Sequence, residues 1–449
     1  MVVVALSYMT PICVGRDVCS PSNLFGNDMG LKNEDGALQF PVFHWKHPCL
    51  QQLDSSPSAE VHPAAEASPV VARDEIHKGK FLMVIGLGTP AIFNLVSIDT
   101  GSTLSWVQCQ PCQIWCKSRA AEAGPTFDPR NSTTYQRVSC SSRDCADVHE
   151  LLGIPFGCVE ETDTCLYRLR YGSGPLAQYS VGKLGKDTLR LTLTVAADDD
   201  FIFGCSEDVN FAGLEAGIIG FGNDRLSFFN QVAAARETNA FSYCFPSDHA
   251  ARGFLSIGPY ARGLLEFTNL VFGYGRDGRT FVYSLQQVGM MEDGRRLDVD
   301  SWMYTSQMMV VDSGTELTFL LAPVFDALDK AVTAAMAAKG YARHRLMIND
   351  QVCYGSSTST TADDETLLVD WSNLPTVEMS FTGGATLKLP PQNVFDQRLV
   401  ESERLLCLPF QPRDAGINGV QILGNKVTRS VRLVFDLQAR MIGFQPNAC

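Results

Sequence analysis

The sequence predicts a mainly β protein whose chain is built from two related halves. From Lys80 onward, short apolar runs rich in valine, isoleucine and aromatic residues are separated by Gly, Asn and Asp, which is typical of strands. Two acidic triplets, Asp99-Thr100-Gly101 and Asp312-Ser313-Gly314, lie 213 residues apart and each follows such a run. A carboxylate placed directly after a buried strand is costly unless it is hydrogen-bonded or functional. One such site in each half indicates a duplicated scaffold that brings two carboxylates together.

The start of the chain differs from the rest. Residues 1–20 are interpreted as an atypical signal segment, because they begin with a short apolar stretch but lack a basic region and a clear cleavage site. Residues 50–72 are rich in Pro, Ala, Ser and Glu and show little periodicity. This composition predicts a linker or a removable segment before the β-rich part begins.

Strands and two helices are predicted after residue 80. The strand segments are FLMVIGLG, FNLVSI, FIFG, GIIGFG, RTFVYSLQQVGM, ATLKLP, VRLVFDL and MIGF. Residues 323–341 predict an amphipathic helix, with Pro323 at its start and Gly340 near its end. Residues 227–236 predict a second, short helix.

Charge and composition narrow the function classes. With 45% hydrophobic and 19% charged residues, the chain can bury a sizeable core. A net charge of −13 argues against nucleic-acid binding, since no basic face is expected to meet the phosphates. The longest later apolar stretch, residues 81–98, is interrupted by two glycines, a proline and an asparagine. We interpret it as two strands and a turn, and we expect no membrane span.

The cysteines indicate an oxidising compartment. Twelve of the 15 lie from Cys109 onward, an even number that predicts a disulfide framework. Metal binding is the alternative, because Cys109 and Cys112 have a ligand-like spacing. No His or Cys pair of matching spacing completes a tetrahedral site, so disulfides are favoured. The sequence leaves their connectivity open.

An internal repeat supports the duplication. Gly220, which ends the apolar element GIIG, lies 121 residues after Asp99, and Gly424, which ends QILG, lies 112 residues after Asp312. Each half therefore holds an acidic triplet followed by an apolar element and a glycine at a similar distance.

These motifs resemble those of the pepsin-like aspartic proteases, and more closely those of the plant nepenthesin-like branch. The matching segments include DTGSTLSWVQCQPC (99–112), FDPRNSTTYQRVSCSSRDC (127–145), GIIGFGNDRLSF (217–228), VVDSGTELTFL (310–320), ILGN (422–425) and GFQPNAC (443–449). The resemblance implies a bilobal pepsin-like aspartic protease fold, in which pseudo-twofold related lobes flank a central cleft. The lobes would comprise residues 80–265, with a cysteine-rich insertion and a flap, and residues 266–449. FPVFHWKHPC (40–49) resembles the family's propeptide motif in degenerate form, which implies a zymogen with a propeptide or linker over residues 21–79.

The resemblance also assigns residue roles. Asp99 and Asp312 become a catalytic dyad, in which one carboxylate activates water and the other holds a proton, because two carboxylates a hydrogen bond apart do not both ionise cheaply. The residues expected to support the dyad are Thr100, Gly101, Ser102, Ser313, Gly314 and Thr315. Taken alone, each hydroxyl among them could equally be a satisfied turn residue.

A flap over the substrate is expected at Tyr171 and Gly172, with Trp106 bonded to the tyrosine hydroxyl. As isolated aromatic residues, both would more often belong to a core. The segment departs from the family pattern, since it reads YGSGPLAQYSVG and lacks the usual acidic residue and Ser-x-Thr. Pro175 is expected to stiffen the flap tip.

The function implied is that of an aspartic endopeptidase that cleaves between bulky apolar residues at acid pH. The alternative is a catalytically weak homologue that acts as a binding or inhibitor protein, as in the plant xylanase-inhibitor branch. We expect protein or peptide substrates, a monomer, and no cofactor or metal. The expected location is secreted or vacuolar rather than chloroplast, and the sequon at Asn131 predicts a glycoprotein.

Overall fold

The structure is a computed structural model of the 449-residue chain. It describes residues 33–47, 80–112, 123–153, 157–172, 177–191, 196–272, 282–346, 350–356, 369–400, 403–413 and 420–449, except for 34, 212, 214, 235 and 249. The predicted signal segment, most of residues 21–79 and the flap tip at 173–176 lie outside these ranges. Over the described ranges, no helix has both the length and the apolar character needed to cross a membrane.

The first half of the chain is mostly strands. They are β1 (Leu38–His44), β2 (Phe81–Leu87), β3 (Ile92–Asp99), β4 (Trp106–Gln108), β5 (Gln136–Arg137), β6 (Cys158–Val159), β7 (Thr164–Tyr171), β8 (Gln178–Arg190), β9 (Ala196–Val209), β10 (Gly217–Gly220), β11 (Ala240–Cys244) and β12 (Arg252–Ile257). Within the described ranges of this half, the α-helices are α1 (Arg143–Leu152) and α2 (Phe228–Ala234).

The second half of the chain also consists mainly of strands. Its strands are β13 (Glu266–Asn269), β14 (Val271–Phe272), β15 (Tyr283–Leu285), β16 (Gln287–Glu292), β17 (Arg295–Arg296), β18 (Met309–Val311), β19 (Thr318–Leu321), β20 (Tyr341–Leu346), β21 (Gln351–Ser356), β22 (Val377–Phe381), β23 (Thr386–Leu389), β24 (Asp396–Val400), β25 (Glu403–Cys407), β26 (Phe410–Arg413), β27 (Gln421–Leu423), β28 (Arg432–Asp436) and β29 (Met441–Gln445). Its helices are α3 (Ser301–Thr305), α4 (Ala322–Ala338) and α5 (Pro391–Val394).

The predicted mainly β, bilobal fold is confirmed. The helix predicted at 323–341 is α4, and the short helix predicted at 227–236 is α2. Helix α1, which begins at the end of the expected cysteine-rich insertion (residues 109–145) and continues beyond it, was not predicted. Its start is marked by Ser142, whose hydroxyl accepts the N–H of Cys145, and its end by Gly153 in the left-handed region.

One large sheet joins the two halves of the chain. Its order runs β13-β29-β28-β11-β12-β1-β2-β3-β10-β4-β9-β8-β7-β6. At the junction β11 pairs antiparallel with β28, and the rings of Phe241 and Phe435 stack 4.5 Å apart. Three smaller sheets, built from β14 to β27, belong to the second half. The junction therefore fixes the two lobes against each other through both hydrogen bonds and packed aromatic rings.

Strand β1 belongs to this large sheet, although it lies in the region predicted to be propeptide or linker. It pairs antiparallel with β12 along most of its length and with β2 at its end. Phe40, Val42 and Phe43 are buried, at 3%, 0% and 0% exposure. The strand order is the same on both sides of the β11–β28 junction: β12 and then β1 follow β11, and β29 and then β13 follow β28. Residues 38–44 are thus part of the folded core of the full chain.

The predicted disulfides are confirmed. Among the described residues the pairs are Cys109–Cys205, Cys140–Cys158, Cys145–Cys165, Cys244–Cys449 and Cys353–Cys407. Cys112 is also disulfide-bonded. The metal alternative fails for Cys109 and Cys112, because their thiols are taken up in disulfides. Three of the pairs fall in the first lobe, where they join the residue after β4 to β9, α1 to β7, and the segment before α1 to β6.

Candidate active site

Both acidic triplets lie at the end of a strand that has a parallel neighbour. β3 ends at Asp99 and pairs in parallel with β10, so that Gly220 lies opposite Asp99. β18 ends at Val311, one residue before Asp312, and pairs in parallel with β27, which ends at Leu423. The two halves therefore present their aspartates in the same way. We call residues 99–105 the Asp99 loop and residues 312–318 the Asp312 loop.

A glycine supports each loop from the neighbouring strand. A Cβ atom on Gly220 or on Gly424 would lie 2.3 Å from a carbonyl oxygen of the loop in its own lobe. No side chain fits at that distance, so the repeat found in the sequence is a packing requirement. The N–H of Gly220 donates to Ser105 Oγ and that of Gly424 to Thr318 Oγ1, both at 3.1 Å.

Each carboxylate is oriented by its own loop. Its Oδ1 accepts the N–H of the glycine two residues on, at 2.9 Å, and its Oδ2 accepts the hydroxyl three residues on, at 2.6 Å. The donors are Gly101 and Ser102 for Asp99, and Gly314 and Thr315 for Asp312. Asp312 receives one more bond, from the N–H of Thr315 at 3.1 Å. Both outer oxygens are thus fixed by hydroxyl donors.

Reciprocal hydrogen bonds lock the two loops together. The Thr100 hydroxyl donates to the Val311 carbonyl at 2.8 Å and accepts the N–H of Ser313 at 2.9 Å. The Ser313 hydroxyl donates to the Ile98 carbonyl and accepts the N–H of Thr100, both at 2.9 Å. Thr100 is 0% exposed and Ser313 is 3% exposed. These four buried bonds cross from one lobe to the other.

The two carboxyl groups are close enough to share a hydrogen bond. A Cβ atom on Gly101 would lie 2.6 Å from Asp312 Cγ, and one on Gly314 would lie 2.5 Å from Asp99 Oδ1. Burial first, and then the charge of Asp312, raise the pKa of Asp99 to about 7, although the bonds from Ser102 and Gly101 act in the opposite direction. The pair therefore retains a proton through the acid range, which lets one carboxyl donate a proton while the other accepts one.

Aromatic residues form a wall beside Asp99. Trp106 Nε1 donates to the Tyr171 hydroxyl at 2.9 Å. Phe211 packs against both rings, 5.1 Å from Trp106 and 4.9 Å from Tyr171 between ring centroids. Burial and the charge of Asp99 raise the pKa of Tyr171 above its ordinary value, so its hydroxyl stays neutral. Gly172 follows in the left-handed region, with a φ of 74°.

The arrangement includes residues that sequence reasoning missed. Phe211 lies in a stretch without a recognisable motif. The Asn425 side chain donates to the Ser313 carbonyl at 2.9 Å, and Tyr243 is buried near Asp312. Two of them carried a signal, since Asn425 ends the ILGN element and Tyr243 lies in FSYC (241–244), another segment that resembles the family's motifs. Cys145, His149 and Cys165 lie close enough together to suggest a metal site, but the two cysteines form a disulfide.

Comparisons with known proteins place the chain in a family. Residues 81–259 match a family model described as xylanase inhibitor N-terminal, and residues 282–446 match one described as xylanase inhibitor C-terminal. Basic 7S globulin from soybean has the same fold, with a TM-score of 0.62 and 16% identity over 91% of this chain and 94% of that chain.

Several curated relatives carry protease names. An Arabidopsis thaliana aspartyl protease family protein is 32% identical over 83% of this chain and 73% of its own length. Aspartic proteinase nepenthesin-2 of Nepenthes gracilis is 29% identical over 85% of this chain and 80% of its own. Nepenthesin-1 from the same organism is 28% identical over 89% and 83%. The chain therefore belongs to the pepsin-like aspartic protease family, among relatives that include the plant nepenthesins.

Proposed function

We propose that this chain is an endopeptidase that hydrolyses peptide bonds at acid pH through Asp99 and Asp312. The observation that carries the proposal is the pairing of two carboxyl groups, each oriented by a glycine N–H and a hydroxyl, with one pKa raised to about 7. Such a pair supplies a base and an acid at the same place.

The chemistry needs neither a metal nor a covalent intermediate. The ionised carboxylate takes a proton from a water molecule as the water oxygen bonds to the peptide carbonyl carbon. The protonated carboxyl gives its proton to the carbonyl oxygen, which produces a tetrahedral diol. The carboxyl that took the water proton then gives it to the amide nitrogen. As the C–N bond breaks, one hydroxyl of the diol gives its proton to the other carboxylate, and a carboxylic acid and an amine leave. The dyad is thereby returned with one proton.

Substrate preference is proposed from the aromatic wall. Tyr171 is half-buried and presents aromatic surface near Asp99, with the buried rings of Trp106 and Phe211 packed against it, which favours bulky apolar side chains next to the scissile bond. An extended peptide or protein segment is therefore the proposed substrate, with a monomeric enzyme. The disulfides support a secreted or vacuolar location. The sequon residue Asn131 is exposed, which is compatible with glycosylation there.

The family models favour a second candidate. Both are described as xylanase inhibitor, and the flap sequence departs from the usual pattern. A homologue that binds another protein and cleaves poorly would fit these two facts. The dyad and its hydroxyl donors favour the protease.

The test measures cleavage of a quenched apolar peptide from pH 2.5 to 8, with and without pepstatin, on oxidatively folded protein. Asp99→Ala and Asp312→Ala should each lower kcat at least about 1,000-fold. Asp199→Ala, at an exposed position on β9, is the matched control and should leave kcat unchanged. Folded wild-type protein that cleaves nothing at any pH would favour the binding protein instead.

A further inference from the structure

A buried lysine lies behind the Asp312 loop. Lys426 follows Gly424 by two residues and is 4% exposed. At the corresponding place in the other lobe, two residues after Gly220, the chain has Gly222. Each donates its backbone N–H to a carbonyl of the loop in its own lobe. Gly222 donates to the Ser102 carbonyl of the Asp99 loop at 2.8 Å, and Lys426 donates to the Glu316 carbonyl of the Asp312 loop at 3.1 Å. A buried ammonium group is costly unless it is paired, so its partners have to explain why it is there.

Lys426 has carboxylate partners on two different elements. Its Nζ lies 2.6 Å from Glu316 Oε1, within the Asp312 loop. It also forms a hydrogen-bonded ion pair with Asp396, the first residue of β24. The ammonium group therefore connects the Asp312 loop to a strand of another sheet.

Further charges surround this connection. Arg398 Nε lies 3.2 Å from Asp396 Oδ2. The positive charge of Arg429 interacts electrostatically with both Asp396 and Glu316. Burial alone would raise the pKa of Asp396, but the charge of Lys426 and its hydrogen bond, with Arg429 and Arg398, hold the pKa below its ordinary value. Asp396 therefore keeps its charge to a lower pH than an ordinary aspartate does.

Glu316 adjoins the residue that orients the Asp312 carboxylate. Thr315, its direct neighbour, bonds both oxygens of Asp312, at 3.1 Å through its N–H and at 2.6 Å through its hydroxyl. The N–H of Asn425, beside Lys426, donates to the Thr315 carbonyl at 2.8 Å. Glu316 and Lys426 therefore lie one residue away from the groups that orient the carboxylate.

We propose that Lys426 is a positioning residue, which fastens the Asp312 loop to β24 through Glu316 and Asp396 and so holds the Asp312 carboxylate in its productive orientation. This inference rests on the proposed protease function. It assigns to the second lobe a support that the first lobe does not share, since Gly222 has no side chain to make such a connection.

The experiment compares Lys426→Met and Lys426→Arg with wild type at a temperature well below unfolding. Lys426→Met should lower kcat about 10- to 100-fold and leave KM within about twofold, because misplacing a catalytic group affects the transition state more than substrate binding. Lys426→Arg keeps the charge and should recover most of the lost kcat. Arg343→Met is the matched control, since it removes an ion pair with Asp329 in the same lobe but away from the dyad.

A second measurement does not depend on activity. Amide hydrogen exchange is followed in peptides that cover residues 312–318 and 99–105. Lys426→Met should accelerate exchange in the first peptide by at least about tenfold and leave the second unchanged. If wild type proves inactive, the proposed function fails, but the exchange result still decides whether Lys426 fastens the loop.

Three outcomes would overturn the inference. One is unchanged kcat and unchanged exchange in Lys426→Met. Another is an equal fall of kcat in Arg343→Met. The last is a Lys426→Arg variant no more active than Lys426→Met. Should Lys426→Met fail to fold, Asp396→Asn and Glu316→Gln weaken the same connection and face the same criteria.

Discussion

In the Asp99 loop the carboxylate accepts one backbone N–H, from Gly101, whereas in the Asp312 loop it accepts two, from Gly314 and Thr315. The Asp99 loop lies against an aromatic wall, and Asp99 is 6% exposed. The Asp312 loop lies against the charged group around Lys426. The bonds within two or three residues of each aspartate are nearly identical, while the surroundings differ in chemical character. A duplicated motif can therefore keep its local geometry and still give its two carboxylates different environments.

The largest effect in this comparison is expected from substitutions of the glycines that face the opposite carboxylate. They test whether the two loops contribute equally to the geometry of the dyad. Gly101→Ala and Gly314→Ala each place a methyl group within 2.6 Å of the opposite carboxylate. Each should lower kcat at least about 100-fold, since a displacement of this size removes the reacting geometry. Steady-state kinetics would measure it. Gly157→Ala, where the new atom would lie 3.6 Å from its nearest neighbour, should leave kcat unchanged. A large loss in only one of the two variants would show that the loops are not equivalent at the dyad.

The pH dependence should reflect the more buried carboxyl. Above pH about 7 the dyad loses its shared proton, so kcat should fall about tenfold per pH unit. Because the folded-state pKa of Asp99 is raised, the folded state binds more protons than the unfolded state between pH 3.8 and about 7. The free energy of unfolding should therefore fall as the pH rises through that window. Asp99→Asn should lack this fall in urea titrations, and a variant that keeps it would assign the proton elsewhere.

The bonds between the loops should be worth about 1–3 kcal/mol per hydroxyl. Thr100→Val and Ser313→Ala each leave buried backbone groups without a partner, and the cost should appear in the midpoint of urea unfolding. The double variant should cost less than the sum, because the two hydroxyls bond to each other's backbone. Thr305→Val, at the exposed end of α3, should cost under about 0.5 kcal/mol. Strict additivity would mean that the two hydroxyls act independently.

The smallest effect concerns the supports behind the loops. Ser105→Ala and Thr318→Val remove the acceptors for Gly220 and Gly424, and each should cost about 1 kcal/mol in urea unfolding. Equal losses of unfolding free energy in the two variants would show that the loops are supported equally by their neighbouring strands. A difference greater than about 1 kcal/mol would show that the two loops are alike only in the bonds to their carboxylates.

The fold could be predicted from the sequence where the signal is local. The strand segments, α2 and α4 follow from apolar runs and their flanking Pro and Gly residues, and the duplication follows from the two triplets. Helix α1 was missed because its ten residues include Cys145 and belong to a cysteine-rich stretch, although Ser142 and Gly153 mark its ends. The place of β1 between β12 and β2 depends on pairing across more than 200 residues, which a local pattern does not contain.

The sequence likewise predicts some residues of the candidate site and not others. The triplets point directly to Asp99, Asp312 and their neighbours, whose catalytic roles remain predictions. Phe211 could not be singled out, because its packing against Trp106 and Tyr171 depends on how distant segments meet. No motif in the sequence singles out Lys426. Its burial follows from Glu316 and Asp396, which lie 110 and 30 residues away in sequence.

The central position of β1 bears on how the chain could be processed. Its backbone pairs with β12 along most of its length and with the start of β2 at two residues, so its loss would open a gap beside β12 and leave that edge unpaired. A cut between residues 48 and 79 would leave β1 in place as a separate short chain, held by hydrogen bonds and buried side chains. After release of that chain, another extended segment could pair in its place. Without a replacement, the open gap would be a point of strand exchange and self-association.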